Sequence, residues 1–225
     1  MKVLLINPNT NVATTAMMVG VASAHAPAHW EWLSLTAERG SSLIASKEAL
    51  DAAAAEVAGM RDRIAELGPD CVIVAAFGDP GLQQLRQALD LPVFGIGESA
   101  MQAAARLGLP WSIVTITPGL RESTLGQVRR YGCEAHFNSL VTTSDDAAVT
   151  ARSTESLVEK IKVAIRQAIQ RDGSKALVIG GGPVAAAAQE LGRASDFIAI
   201  QPLVEAVARV KEVEASLPSS SSSLP

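Results

Sequence analysis

Val72-Ile-Val-Ala-Ala-Phe-Gly-Asp-Pro-Gly-Leu82 is an apolar run cut off by a glycine-containing turn, with a helix-forming segment behind it. Ala176-Leu-Val-Ile-Gly-Gly-Gly-Pro-Val184 repeats the same pattern about 100 residues later. Short runs that are apolar at every position read as strands buried on both faces, as in a parallel sheet. Each run then delivers its carboxyl end into a loop at the same level of a sheet, the edge at which such sheets bind ligands. The residues at the two tips are Ala76 and Gly181, and neither can move a proton.

Outward from these loops, strands and helices alternate along the chain. Strands are expected over residues 2–7, 30–35, 71–76, 92–96, 111–116, 136–141, 176–179 and 197–200. Helices are expected over 12–25, 47–67, 81–89, 98–107, 121–131, 153–170, 184–191 and 203–214. The turn at Asn7-Pro8-Asn9 has a counterpart at Thr117-Pro118-Gly119, and both the turns and the glycine loops repeat at an offset of about 105–110 residues. The reading is an α/β fold of two pseudo-symmetric lobes, each a mostly parallel sheet flanked by helices, with a ligand cleft between them. The first lobe takes residues 1–97 plus 206–217, the last helix crossing back to it, and the second takes 98–205. Residues 218–225 form a Ser/Pro tail with nothing to bury, expected to be disordered.

Composition narrows the function. The chain of 225 residues is 48% hydrophobic and 19% charged, a balance suited to a compact globule. A net charge of -4 and 4% aromatic residues give no basic footprint and no stacking platform for nucleic acid. No apolar run reaches the length of a signal-peptide core or a membrane span. Cys71 and Cys133 form no CxxC pair, in keeping with a reducing compartment, and a cytoplasmic location is expected.

Ile6-Asn-Pro-Asn-Thr10, Phe77-Gly-Asp-Pro-Gly-Leu82, Val93-Phe-Gly-Ile-Gly-Glu98 and Ser112-Ile-Val-Thr115 resemble, in this order and spacing, the hydantoin and allantoin racemase branch of the aspartate/glutamate racemase superfamily. The resemblance covers about residues 1–210. It implies two pseudo-symmetric α/β lobes and a cofactor-independent reaction in which a cysteine from each lobe flanks the substrate's stereocentre. One thiolate removes a proton while the opposite thiol returns one. The first of those cysteines would stand immediately before Phe77, where this chain has Ala76. The second would stand in a Gly-Cys-Ala-Gly-type loop, where this chain has Gly180-Gly181-Gly182-Pro183. Cys71 lies five residues upstream of Ala76, at the far end of a strand rising about 3.3 Å per residue. Cys133 follows a helix at a glycine turn, and a structural role is expected for both.

With both thiols replaced, Asp79 and Glu98 are the acids nearest the loops and the candidates for catalysis, set against a capping role for each at a helix start. Asn9, Thr10, Ala76, Phe77, Gly78, Thr115, Thr117, Gly181 and Gly182 are the candidate substrate contacts, with simple capping as the alternative for Asn9 and Thr10. His25 and His29 are spaced as metal ligands on one helix face, but no third ligand completes a set, and no metal site is expected. The expected function is a cofactor-independent enzyme acting on a small carbonyl-activated compound, a hydantoin-like ring or a carboxylic acid, by something other than the thiol pair. The alternatives are a small-molecule-binding pseudoenzyme and a cysteine-inactivated racemase. The expected partner is a small-molecule substrate, and the expected assembly a homo-oligomer.

Overall fold

The apolar runs form two parallel sheets in a computed structural model that describes residues 1–143, 154–180 and 197–216. The first sheet has the order β2-β1-β3-β4, from β1 (Lys2–Asn7), β2 (Glu31–Thr36), β3 (Cys71–Val74) and β4 (Val93–Gly95). The second has the order β6-β5-β7-β8, from β5 (Trp111–Thr115), β6 (Phe137–Thr142), β7 (Ala176–Gly180) and β8 (Ile198–Ile200). One order becomes the other on adding four to each strand number, so the repeat in the sequence is a repeat in topology. The register brings Asn7, Thr36, Val74 and Gly95 to one edge of the first sheet. Thr115, Thr142 and Gly180 reach the matching edge of the second.

Helices cover both faces of each sheet, which is why its central strands are apolar at successive positions. Leu4, Ile6, Val72 and Val74 pack on Val57 of α2 (Lys47–Ala58), Ile64 of α3 (Arg61–Leu67) and Leu85 of α4 (Leu82–Ala88). On the other face Val3, Leu5 and Ile73 meet Met18 of α1 (Val12–Ala24) and Leu203, Val207 and Val210 of α8 (Pro202–Ser216), so the last helix of the chain closes the first sheet. In the second sheet Ile113 and Val178 pack on Met101 of α5 (Ile96–Arg106) and Val128 of α6 (Arg121–Arg130), while Val114 and Ile179 pack on Ile161 and Ile165 of α7 (Thr154–Gln170).

The single helix expected over 47–67 is two. α2 ends at Gly59, and the chain redirects so that Met60 and Ile64 both enter the core. The strand expected over 71–76 stops at Val74, although the Ala75 N–H still bonds the carbonyl of Ile6 at 2.8 Å before the chain turns. The helix expected over 184–191 and the tail over 218–225 lie outside the described residues.

Candidate active site

At the carboxyl edge of the first sheet, a buried amide shapes the first loop. Asn7 donates through Nδ2 to Asn9 Oδ1 (3.0 Å), the Asn11 carbonyl (3.1 Å) and Thr15 Oγ1 (2.9 Å), and accepts the Asn9 N–H on Oδ1 (3.1 Å). The helix cap is Asn11, whose side chain accepts the Thr14 N–H, rather than Asn9 or Thr10. Thr10 is tied by its N–H to the Ser41 carbonyl at 3.1 Å and is not among the residues that line the cavity. Asn9 does face the cavity.

The loop after β3 carries the chemistry-facing positions. Ala75, Ala76, Phe77 and Gly78 line a cavity of about 350 Å³ whose opposite wall is Thr115, Ile116 and Thr117 from the end of β5. The N–H groups of Ala76, Phe77 and Gly78 have no hydrogen-bond partner among the described residues, a backbone arrangement suited to a carbonyl oxygen or carboxylate. Thr115 Oγ1 and Thr117 Oγ1 are 3.0 Å apart, one hydroxyl donating a hydrogen bond to the other. Phe77 itself leaves the first lobe and packs in the core of the second. Its ring lies on Gly180, where a Cβ would come within 2.9 Å of it.

Three further groups of cavity residues were not among the candidates drawn from the sequence. Ser42, Leu43 and Ile44 come from the segment between β2 and α2, which straps across both lobes. The strap accepts from Thr10 at Ser41, and its Ala45 carbonyl approaches Gly119 so closely that a Cβ there would stand 2.5 Å away. Leu50 of α2 adds an apolar face. Ser123, Thr124 and Gln127 present the polar face of α6, and only a polar stripe at 124, 127 and 131, positions sharing one side of a helix, hinted at it.

No acid, base, thiol or phenol stands on the described walls of this cavity; its polar groups are hydroxyls and carboxamides. The two carboxylates singled out from the sequence are engaged elsewhere. Asp79, 7% exposed, sits at φ 47°, a left-handed conformation that Asp tolerates. Its Oδ1 accepts the Gly97 N–H at 2.9 Å. Its Oδ2 accepts the Glu98 N–H at 2.7 Å, the Tyr131 hydroxyl at 2.9 Å and Gln127 Nε2 at 3.4 Å. It therefore satisfies the free N–H groups at the start of α5 and braces α6. Burial pushes its carboxyl up to about 7, against the pull of the Gly97, Tyr131 and Glu98 hydrogen bonds. Glu98 points away from the cavity, to Arg86 Nη1 (3.0 Å) and Nη2 (2.6 Å) and to Arg209 Nη1 (3.4 Å). Neither carboxylate reaches the cavity, because each is held by groups of the scaffold.

The cysteines are buried in the two cores, Cys71 at the start of β3 and Cys133 after α6. Burial pushes the Cys71 thiol up to about 12 and raises that of Cys133 as well. His25 Nδ1 lies 2.9 Å from the Val21 carbonyl and His29 Nε2 lies 2.9 Å from Glu214, so the two rings do not converge. Among the described residues no His, Cys, Asp and Glu cluster could hold a metal ion, and no helix is long and apolar enough to cross a membrane. Gly181 and Gly182 lie outside the described residues.

The family model described as Asp/Glu/Hydantoin racemase matches residues 3–210. The chain belongs to the Asp/Glu/hydantoin racemase family. A hydantoin racemase from Paenarthrobacter aurescens is 28% identical over 215 residues, covering 94% of this chain and 90% of the relative. An allantoin racemase from Klebsiella pneumoniae is 30% identical with a TM-score of 0.88, over 96% of this chain and 88% of that one. An allantoin racemase from Pseudomonas fluorescens, 22% identical, has the same fold at a TM-score of 0.88 across 100% of both chains. The family makes the protein an enzyme of racemase type, an isomerase by reaction class. Within that family its cavity departs at Ala76, a methyl group where the sequence resemblance implies a thiol.

Proposed function

We propose that this racemase-family enzyme binds a small carbonyl-activated compound, a hydantoin-like ring or a carboxylic acid, and labilises the hydrogen next to its carbonyl without a cofactor and without a thiol pair. One observation carries the reading. A cavity of about 350 Å³ between the two sheets is lined by hydroxyls, carboxamides and backbone N–H groups that have no partner among the described residues, with Ala76 in its wall. That volume suits a small ring. The N–H groups of residues 76–78 are placed for the carbonyl oxygen, where they would stabilise an enolate-like charge. Thr115, Thr117, Asn9 and Gln127 then orient the ring. Asp79 and Glu98 are positioning residues that hold the loop and helix around the ligand. Losing one placed acid or base costs about 10² to 10⁴ in rate, so a slow reaction with bound water carrying the proton is expected. A small-molecule substrate, a homo-oligomer and a cytoplasmic setting complete the reading.

The measurement is α-proton exchange in D₂O over a panel of hydantoins and small carboxylic acids. Saturable exchange, accelerated by Ala76→Cys, supports an enzyme acting on a carbon acid; no exchange with either protein overturns it. The lack of any titratable side chain on the described walls favours one second reading, a non-catalytic binder. That protein would show saturable thermal stabilisation by a panel member with no exchange. Racemisation recovered in Ala76→Cys together with Gly181→Cys would identify a silenced racemase.

A further inference from the structure

Two concavities lie back to back. The cavity at Ala76 is separated from an outer groove of about 400 Å³ by four residues that face both spaces: Leu50, Gly78, Ser123 and Gln127. The groove runs between α2, the turn from Asp79 to Gly81 with the start of α4, and α6.

This partition is made largely of side-chain ends. Gly78 has no side chain, and Leu50 of α2 fills the space: a Cβ on Gly78 would stand 2.5 Å from Leu50 Cδ1 and 3.4 Å from Cδ2. Gln127 is its polar member, only 2% exposed. Its Nε2 donates to the Phe77 carbonyl (3.2 Å) and to Asp79, while its Oε1 has no partner among the described residues. A buried carbonyl oxygen left unpaired disfavours the arrangement that holds it, so the partition is not sealed by a complete hydrogen-bond set. On the groove side Ala54, Pro80 and Leu82 supply apolar surface beyond Leu50. The charged residues there are Lys47 and Arg130 against Asp51, Glu122 and the buried, hydrogen-bonded Asp79, with Lys47 already paired to Asp51 at 2.5 Å. Asp79 is already engaged by Gly97, Glu98 and Tyr131, and the remaining charges offset one another, so a charged group gains little net attraction while an apolar one gains burial.

We infer that Leu50 is a specificity-determining residue: its side chain closes the substrate cavity and limits the ligand to a small substituent. The groove behind it is a subsite for a bulky apolar substituent, such as an aromatic ring on one methylene, that opens when residue 50 is shortened. The inference rests on the cavity at Ala76 being the substrate site.

The test is calorimetric binding of methylhydantoin and benzylhydantoin to the full chain. The wild type favours the methyl compound. In Leu50→Ala the affinity ratio shifts toward the benzyl compound by about tenfold, equal to 1.4 kcal/mol. Ala54 lies one helical turn from Leu50 on the same face. Adding Ala54→Leu refills the groove and returns the ratio to near its wild-type value. Binding of methylhydantoin by each variant shows that it is folded. An unchanged ratio in Leu50→Ala, or a shifted ratio that survives Ala54→Leu, overturns the subsite while leaving the cavity as the substrate site. Failure of both hydantoins to bind the wild type and Leu50→Ala overturns the substrate assignment and the subsite with it.

Discussion

The Tyr131 hydroxyl donates to Asp79 Oδ2 across 2.9 Å, joining the loop after β3 of the first sheet to the end of α6 on the second. Asp79 passes that connection on to the N–H groups of Gly97 and Glu98, where the chain crosses between sheets into α5. One carboxylate therefore fixes three segments around the cavity without entering it. The same loop sends Phe77 into the second core and leaves Ala76 on the cavity wall, so the position of residue 76 depends on the Asp79 contacts.

Tyr131→Phe removes the hydroxyl and leaves the ring. Above about pH 7 the acceptor is the ionised Asp79 carboxylate, and bonds to charged groups contribute about 1.5–3 kcal/mol. Urea unfolding should show a loss of that size. An unchanged midpoint would mean that water replaces the hydroxyl at no cost.

The Asp79 carboxyl also sets a pH dependence. Its folded value, about 7, lies above an unfolded value of about 3.9. The fold therefore binds the proton more tightly than the unfolded chain does. The resulting stabilisation is complete below about pH 4 and is lost as pH rises through about 7. Asp79→Asn keeps a side chain that tolerates φ 47° but cannot titrate. The stability of the wild type relative to this variant should fall between about pH 4 and pH 8, other carboxylates cancelling in the difference. A relative stability that instead rises with pH would show that the donors outweigh burial.

How much of this was legible in the sequence depends on whether a feature is local. Runs such as Val72–Val74 and Ile113–Val114 are apolar at successive positions, and that alone requires a sheet covered on both faces. The loop at Ala76–Gly78 followed from where its strand ends. The break at Gly59-Met60 was hidden, because an alanine-rich helix with spaced charges continues in pattern whether or not the chain redirects. The strap at Ser42–Ile44 has no periodicity, and its place over the cavity comes from contacts at Thr10 and Gly119 far along the chain. Asp79 and Glu98 were correctly placed at turns and helix starts. A scaffold role at a helix start was readable for both, but their partners Tyr131, Arg86 and Arg209 are distant or unpatterned in sequence, so which groups hold each carboxylate could not be read.

Installing a thiol tests where residue 76 points. Cys71 and Cys133 are 0% and 2% exposed, and burial holds both as unreactive thiols. The native wild type should therefore resist an aromatic disulfide reagent, and Ala76→Cys should react at one site. Protection of that thiol by a saturating hydantoin would place the ligand against it. A native variant as silent as the wild type would show that the loop is closed to solvent.

Glu98→Gln separates scaffold from catalysis. The carboxylate is 7% exposed and bonds Arg86 through both oxygens, so the neutral amide weakens a charge-assisted pair at a cost of about 1–3 kcal/mol. Thermal unfolding should show the loss, while the D₂O exchange rate of the folded variant should stay within about threefold of wild type, well short of the 10² to 10⁴ lost with a true acid or base. A fall of that larger size with no loss of stability would return Glu98 to a catalytic role.

Two glycines of equal composition should respond in opposite directions to alanine. Gly20 lies within α1, and a Cβ there meets nothing within 4 Å. Alanine at that site removes unfolded-state freedom and should stabilise by about 0.5–1 kcal/mol. At Gly97 a Cβ would overlap the Phe77 carbonyl oxygen and stand 2.8 Å from Asp79 Oδ2. The first contact is backbone and cannot swing aside, and the second belongs to the carboxylate that holds the Gly97 N–H. Gly97→Ala must move the loop that carries residues 76–78, at a cost of at least about 3 kcal/mol. The two melting temperatures, compared with wild type, check this directly. Because the displaced loop bears the cavity-lining residues 76–78, Gly97→Ala should also weaken hydantoin binding in whatever fraction folds, whereas Gly20→Ala, outside the cavity wall, should not.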